Sequence, residues 1–209
     1  MSQQTLLEET TSPLVDFAPP SPVILNIQSL GLSEEQFELL CRDNRDLRIE
    51  LTAKGELVIM PPTGMKTGWR NGKLTQRFGN WAEEDGTGIC FDSSTLFRLP
   101  NGAKRSPDVS WIKRERVEAL TEKEQESFAA ICPDFVLELR SPSDAVSFVQ
   151  QKMQEYMVNG AQLGWMIDPF TKRVYIYRPN QSVEILEDPE TVMGDPVLPG
   201  FVLHVREIW

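Results

Sequence analysis

The sequence predicts an α+β fold with an α/β-like core: a mixed β-sheet flanked by helices, with additional antiparallel strands. Three observations carry that expectation. Apolar patterns along the chain read helix, hairpin, long helix, several strands, helix, several strands, which is not the regular alternation of a βαβ array. The stretch Phe135, Val136, Leu137, Glu138, Leu139 is apolar on both faces apart from one acid, as in a central strand covered on both sides. A chain of 209 residues, 40 % of them hydrophobic, suffices for one core, so a single domain over 25–209 is expected behind a flexible arm at 1–24.

The arm carries Thr, Ser, Glu and prolines without sustained periodicity. V-I-L-N-I at 23–27 could instead pair as an edge strand, strapping a dimer. Ser33, with Gln36 three residues on, signals a capped helix whose Phe37, Leu40 and Cys41 share a face. D-L-R-I-E-L-T-A-K-G-E-L-V-I-M at 46–60 reads as two strands joined at Lys54-Gly55. Glu50 there opposes Ile49 and Leu51, which suits either a solvated face or an inward acid. A helix over 67–84 buries Leu74, Phe78 and Trp81. Lys66, Arg70, Lys73 and Arg77 gather around it, as a solvated face or a local basic patch. Strands follow at 89–92 and 96–99, and Lys104 and Arg105 arrive just before Pro107-Asp108. Residues 113–130 are charged and read as exposed helix or loop. A helix over 145–158 turns Val146, Val149, Met153 and Met157 inward, with Lys152 at the border of that stripe. Strands at 163–167 and 174–177 form a hairpin, and 183–186 with 201–205 finish the sheet.

Composition excludes several classes. No apolar run is long enough to cross a membrane, and the first residues lack the basic and apolar regions of a signal peptide, so a cytoplasmic protein with no membrane partner is expected. Cys41, Cys90 and Cys132 are scattered and read as reduced, mostly buried thiols. With His204 the single histidine, a His-rich zinc site is excluded, and any metal would be held by oxygen, pointing to Mg2+ or Mn2+. No glycine-rich phosphate loop is present, so no nucleotide cofactor is expected. The net charge of −10 opposes a broad nucleic-acid surface but permits a local one.

Two strands each carry one acid. P-D-V-S-W-I at 107–112 is headed by Asp108, and D-F-V-L-E-L at 134–139 has Glu138 near its tail. A carboxylate in such a strand is costly to bury unless a positive charge meets it. Asp108 and Glu138 could hold a cation, with Glu50 completing the set and Lys152 or Arg140 orienting a water: the kit for metal-assisted phosphodiester hydrolysis. A structural salt bridge, such as Glu138 with Lys152, accounts for the same residues. A glycosidase-like carboxylate pair leaves the lysine unexplained, and a cysteine nucleophile lacks a nearby histidine.

Several blocks together resemble the Uma2 family, once catalogued as DUF820. They are R-I-E-L-T-A-K-G-E-L-V-I-M-P-P-T-G at 48–64, F-D-S-S-T-L-F-R-L-P-N-G-A-K-R-S-P-D at 91–108 and C-P-D-F-V-L-E-L-R-S-P-S-D at 132–144, followed by K-M-Q-E-Y-M-V-N-G at 152–160, G-W-M-I-D-P at 164–169, V-Y-I-Y-R-P at 174–179 and L-P-G-F at 198–201. Members are usually described as restriction endonucleases of the PD-(D/E)XK nuclease superfamily, and this chain is similar to the long form common in cyanobacteria. The resemblance implies a restriction-endonuclease-like fold and a Mg2+- or Mn2+-dependent endonuclease acting on DNA, with Asp108 and Glu138 as metal ligands, Glu50 as an auxiliary ligand and Lys152 as the catalytic lysine. The superfamily lysine normally lies two residues past the second acid, where this chain has Arg140, so the literal motif is absent. Lys66, Arg70, Lys104, Arg105 and Arg140 are candidate phosphate contacts. A homodimer suits cleavage of both strands of a duplex. The alternative is a non-catalytic dimer of the same fold that binds DNA or a protein.

Overall fold

The computed structural model describes residues 21–209. Most of the arm expected at 1–24 therefore lies outside the described residues. Val23–Asn26 forms the first strand, β1, paired antiparallel with β3 (Glu56–Met60) of the same chain. Helix α1 (Glu34–Asp43) starts at a complete capping box: Ser33 Oγ accepts the Gln36 N–H at 3.2 Å, and Gln36 Oε1 accepts the Ser33 N–H at 2.8 Å. Strand β2 (Arg48–Leu51) turns into β3 through Gly55, whose φ of 77° needs a residue without Cβ.

The long helix α2 (Met65–Asp85) leads into β4 (Gly88–Asp92), and two short strands follow, β5 (Phe97–Arg98) and β6 (Lys104–Arg105). Next come β7 (Val109–Lys113), the short helices α3 (Arg114–Glu118) and α4 (Glu122–Gln125), β8 (Phe135–Leu139) and α5 (Val146–Val158). The chain closes with β9 (Leu163–Asp168), β10 (Arg173–Tyr177), β11 (Glu184–Glu187), β12 (Thr191–Met193) and β13 (Val202–His204).

Two sheets organise these strands. One has the order β11-β10-β9-β8-β7-β4 and is mixed, with β8 and β9 parallel and its other pairings antiparallel. The other, β1-β3-β2-β6-β5, is antiparallel. This is the α+β architecture expected, with one correction. Residues 201–205 do not finish the main sheet. They pair with β12 in a separate two-stranded ribbon whose Val192 and Leu203 face the core.

The period-two pattern of β8 decides what lies on each side. Phe135, Leu137 and Leu139 face a layer made by α2 and the C-terminal ribbon, with Leu74, Phe78 and Phe201. Val136 faces the other layer, with Met153 and Tyr156 of α5. Glu138 has the parity of Val136 and points to the α5 side. On α2, Leu74 and Phe78 are buried as expected, while Trp81 is half-buried and donates its indole N–H to the Pro199 carbonyl at 3.2 Å. Phe78 stacks on Phe135 at 5.0 Å, lies 4.2 Å from Phe201 and meets Trp165 edge-on. Among the described residues no helix is long and apolar enough to cross a membrane. Cys41, Cys90 and Cys132 are free thiols.

Phe78 joins the helix, the main sheet and the ribbon. Truncation by Phe78→Ala should cost about 3–5 kcal/mol, read as a lower urea midpoint. A loss below about 1 kcal/mol would show that this side of the core collapses around the gap.

Candidate active site

Asp108 stands immediately before β7, and the β7–β8 register pairs Val109 with Leu137 and Ser110 with Val136. Continued by one step, that register sets Asp108 across from Glu138, on the same side of the sheet. The ladder is replaced there by a side chain: the Leu139 N–H donates to Asp108 Oδ2 at 2.9 Å. Asp108 and Glu138 are 8 % and 7 % exposed, and both line a cleft of about 470 Å3. Its walls include Arg48, Asn71 and Lys152, and the loops at 61–64 and 141–144 form part of its rim.

Lys152 lies on the α5 side of Glu138. It is buried rather than bordering the core, and its Nζ is 2.8 Å from both Glu138 Oε1 and Glu50 Oε1. Tyr156, one turn along α5, donates its hydroxyl to Glu138 Oε1 at 3.0 Å. Glu50 arrives from β2, in the other sheet, and is 1 % exposed, so the solvated face is overturned. Glu50 Oε1 also accepts the Ser106 N–H at 2.9 Å, and Oε2 is 3.1 Å from Arg105 Nη1. Glu50 thus has a cationic donor on each oxygen, Lys152 on one and Arg105 on the other, and it is not among the residues that line the cleft.

The electrostatics follow from burial and neighbours. Burial pushes Glu138 up to about 7, and the Asp108 and Glu50 charges reinforce burial against Lys152. Asp108 is also raised by burial, which outweighs Arg48 and the Leu139 N–H. Glu50 is burdened by the same burial but is held below its ordinary value by Lys152 and Arg105. Burial alone would lower Lys152, yet Glu138 and Glu50 raise it, so it stays an ammonium. Burial and the same two acids lift Tyr156 well above its ordinary value, and its hydroxyl stays protonated.

Most of the expected phosphate contacts are committed elsewhere. Arg70 is buried and donates Nε to the Ile208 carbonyl at 2.6 Å, tying α2 to the C-terminal segment. Lys104 is 3.0 Å from Glu34 and lies over the Phe37 ring, anchoring α1. Arg105 binds Glu50 and Glu155. Arg140 clamps Asp168 at 3.1 and 3.2 Å and gives Nε to the Asp144 carbonyl, so the residue at the literal motif position braces two loops. None of these four lines the cleft, whereas Lys66 does.

Two cleft residues escaped sequence reasoning. Arg48 Nη1 is 3.8 Å from Asp108 Oδ1, and Asn71 Nδ2 donates to the same oxygen at 3.3 Å. Each had a faint signal. Arg48 shares strand parity with Glu50, and Asn71 lies three residues before the buried Leu74, on the helix flank that meets the sheet.

Removing Glu50 leaves Lys152 and Arg105 as buried cations short of a partner. Glu50→Ala should destabilise the fold by about 3–5 kcal/mol in urea denaturation, and a surface-like effect below about 0.5 kcal/mol would contradict the pairing. Glu138 supplies a pH test. Its folded value near 7 exceeds its ordinary 4.5, so the folded state holds this proton more tightly. That contribution is complete below pH 4.5 and is lost as pH rises through 7. Glu138→Gln should flatten the fall in stability over this interval, measured by urea midpoints across pH.

A family model described as "Uma2: Putative restriction endonuclease" matches residues 34–206. A solved structure of a "putative nuclease belonging to DUF820" from Anabaena variabilis shares the fold, with a TM-score of 0.68 and 20 % identity over 77 % of this chain and 88 % of that one. No curated protein sequence matches the chain. The matched span holds both acids, Glu50 and Lys152, and a mixed sheet flanked by helices in the restriction-endonuclease-like manner: the chain belongs to the Uma2 family.

Proposed function

We propose that this protein is a Mg2+- or Mn2+-dependent endonuclease that hydrolyses DNA phosphodiester bonds in the cleft. The observation that carries the reading is the meeting of Asp108 and Glu138, abreast in register, with a buried ammonium at hydrogen-bond distance from one of them. Family membership in a group described as restriction endonucleases supports it.

The donor set fits a hard divalent cation. Among the described residues no three His, Cys, Asp or Glu side chains gather as a ligand set, so carboxylates alone supply two positions. Asn71 Oδ1 is a buried acceptor without a hydrogen-bond partner, beside Asp108 and in the cleft wall. An orphaned oxygen there costs stability unless an ion or its water meets it. Asp108 and Glu138 would thus hold the ion, with Asn71 Oδ1 adjacent. When bound, the ion would lower the pKa of a water and neutralise charge developing on the phosphate.

The chain's own groups have separable tasks. Lys152 has three N–H donors; Glu50 and Glu138 take two, and the third is left for a water or a phosphate oxygen at the cleft. Glu50 keeps that ammonium charged and in place. Tyr156 fixes the rotamer of Glu138 through Oε1. A homodimer would present two such sites to the two strands of a duplex, and the cytoplasm would hold both enzyme and DNA. A second reading keeps the fold and abandons catalysis: Glu138 and Lys152 already satisfy one another as an ion pair.

Calorimetric titration with Mn2+ separates the two. Saturable binding that Asp108→Ala abolishes, with apparent affinity climbing as pH rises towards 7 and levelling off above it, is expected because the ion must displace the Glu138 proton. Supercoiled plasmid should be nicked by the wild type, and Lys152→Met should reduce the rate by about 100-fold or more. Metal binding unaffected by Asp108→Ala would defeat the ligand assignment, and intact plasmid at saturating Mn2+ would favour the non-catalytic reading.

A further inference from the structure

Basic residues line the cleft alongside its acids. The geometry points to Arg48 as the phosphodiester-binding residue of this cleft, assisted by Lys66 and the first turn of α2; the inference rests on the endonuclease reading and names the group that receives the substrate's backbone.

The case begins with elimination. Arg70, Lys104, Arg105 and Arg140 each spend their donors on protein acceptors, and none of them lines the cleft. Arg48 lines the cleft and is only loosely held. Its side chain is 37 % exposed, its Nη1 stands 3.8 Å from Asp108 Oδ1, and its one hydrogen bond, from Nη2 to the Ser106 carbonyl, is a long 3.4 Å. Its Nε is buried and has no hydrogen-bond partner. A guanidinium has five donors arranged to grip planar or tetrahedral oxyanions. Arg48 thus keeps most of them uncommitted, next to an acid expected to hold a metal.

The setting favours an anion. Helix α2 has Gly64 at its N-cap with no side-chain cap and no acid in its first turn. Gly64, Lys66 and Thr67 all line the cleft, so unpaired N–H groups and a lysine open onto the space that Arg48 enters. Position adds the final argument. Arg48 heads β2 two residues before Glu50, so one strand carries both the residue that holds Lys152 and the residue that would hold the phosphate.

The test is fluorescence anisotropy of a labelled DNA duplex against the full chain, over a salt series, with Ca2+ replacing Mg2+. Arg48→Gln should weaken binding by about tenfold or more and lower the slope of log affinity against log salt by about one. Arg48→Lys should keep the slope and recover part of the affinity. Lys54→Gln, in the exposed β2–β3 turn, controls for net charge and should leave the slope unchanged. Mn2+ titration of Arg48→Gln should still saturate, which also shows that the variant is folded. A wild-type slope in Arg48→Gln would overturn the assignment while sparing the endonuclease reading. Absence of DNA binding by the wild type would defeat that reading and this inference together.

Discussion

Two carboxylates from two different sheets converge on one ammonium, and much of the cleft depends on that meeting. Glu138 comes from the middle of the six-stranded sheet, Glu50 from the five-stranded one, and Lys152 from the helix between them. None of the three is more than 7 % exposed. Charges so buried are tolerated only while each retains its partners. The requirement holds α5 against β8, fixes β2 relative to the main sheet and leaves Arg48, at the head of β2, projecting beside Asp108. An apolar trio could join the same elements. It would not place a protonated amine at the floor of a cleft.

The three acids differ because their donors differ. Glu50 has strong cationic donors on both oxygens and stays ionised despite its burial. Asp108 and Glu138 have fewer, and burial prevails, raising both. This inequality separates residues of the same chemical kind: one acid is held ionised by its cations, and two have their protons held more tightly than usual. The same logic sorts the basic residues. In a chain with a net charge of −10, most cations near the site are drawn into pairs with acids, and Arg48 and Lys66 remain to face the cleft.

Asp108 and Glu138 were legible in the sequence because an acid in an apolar strand is anomalous in one dimension. Lys152 was visible for a similar reason, although its border position became full burial between Glu50 and Glu138. The stripe on α2 was read correctly at Leu74 and Phe78, since helical periodicity reports an inward face directly. Arg48 and Asn71 were missed because a polar residue beside a strand or helix of ordinary pattern is anomalous only once its neighbours are known. Residues 201–205 were assigned to the main sheet because period-two alternation identifies a strand without naming its partner; the pairing with β12 is a tertiary choice.

By itself, then, the sequence determined most of the inventory: the longer strands and helices (though not the short strands β6 and β12), which faces are apolar, and which acids sit where burial is expensive. Those properties follow from local periodicity and solvation. The tertiary structure decided how that inventory is used. Glu50 and Lys152 are separated by 102 positions, Arg70 and Ile208 by 138, and each cation is held by whichever acceptors the packed backbone brings within hydrogen-bond distance. Charge pairing depends on distance in space, which composition and spacing along the chain do not specify.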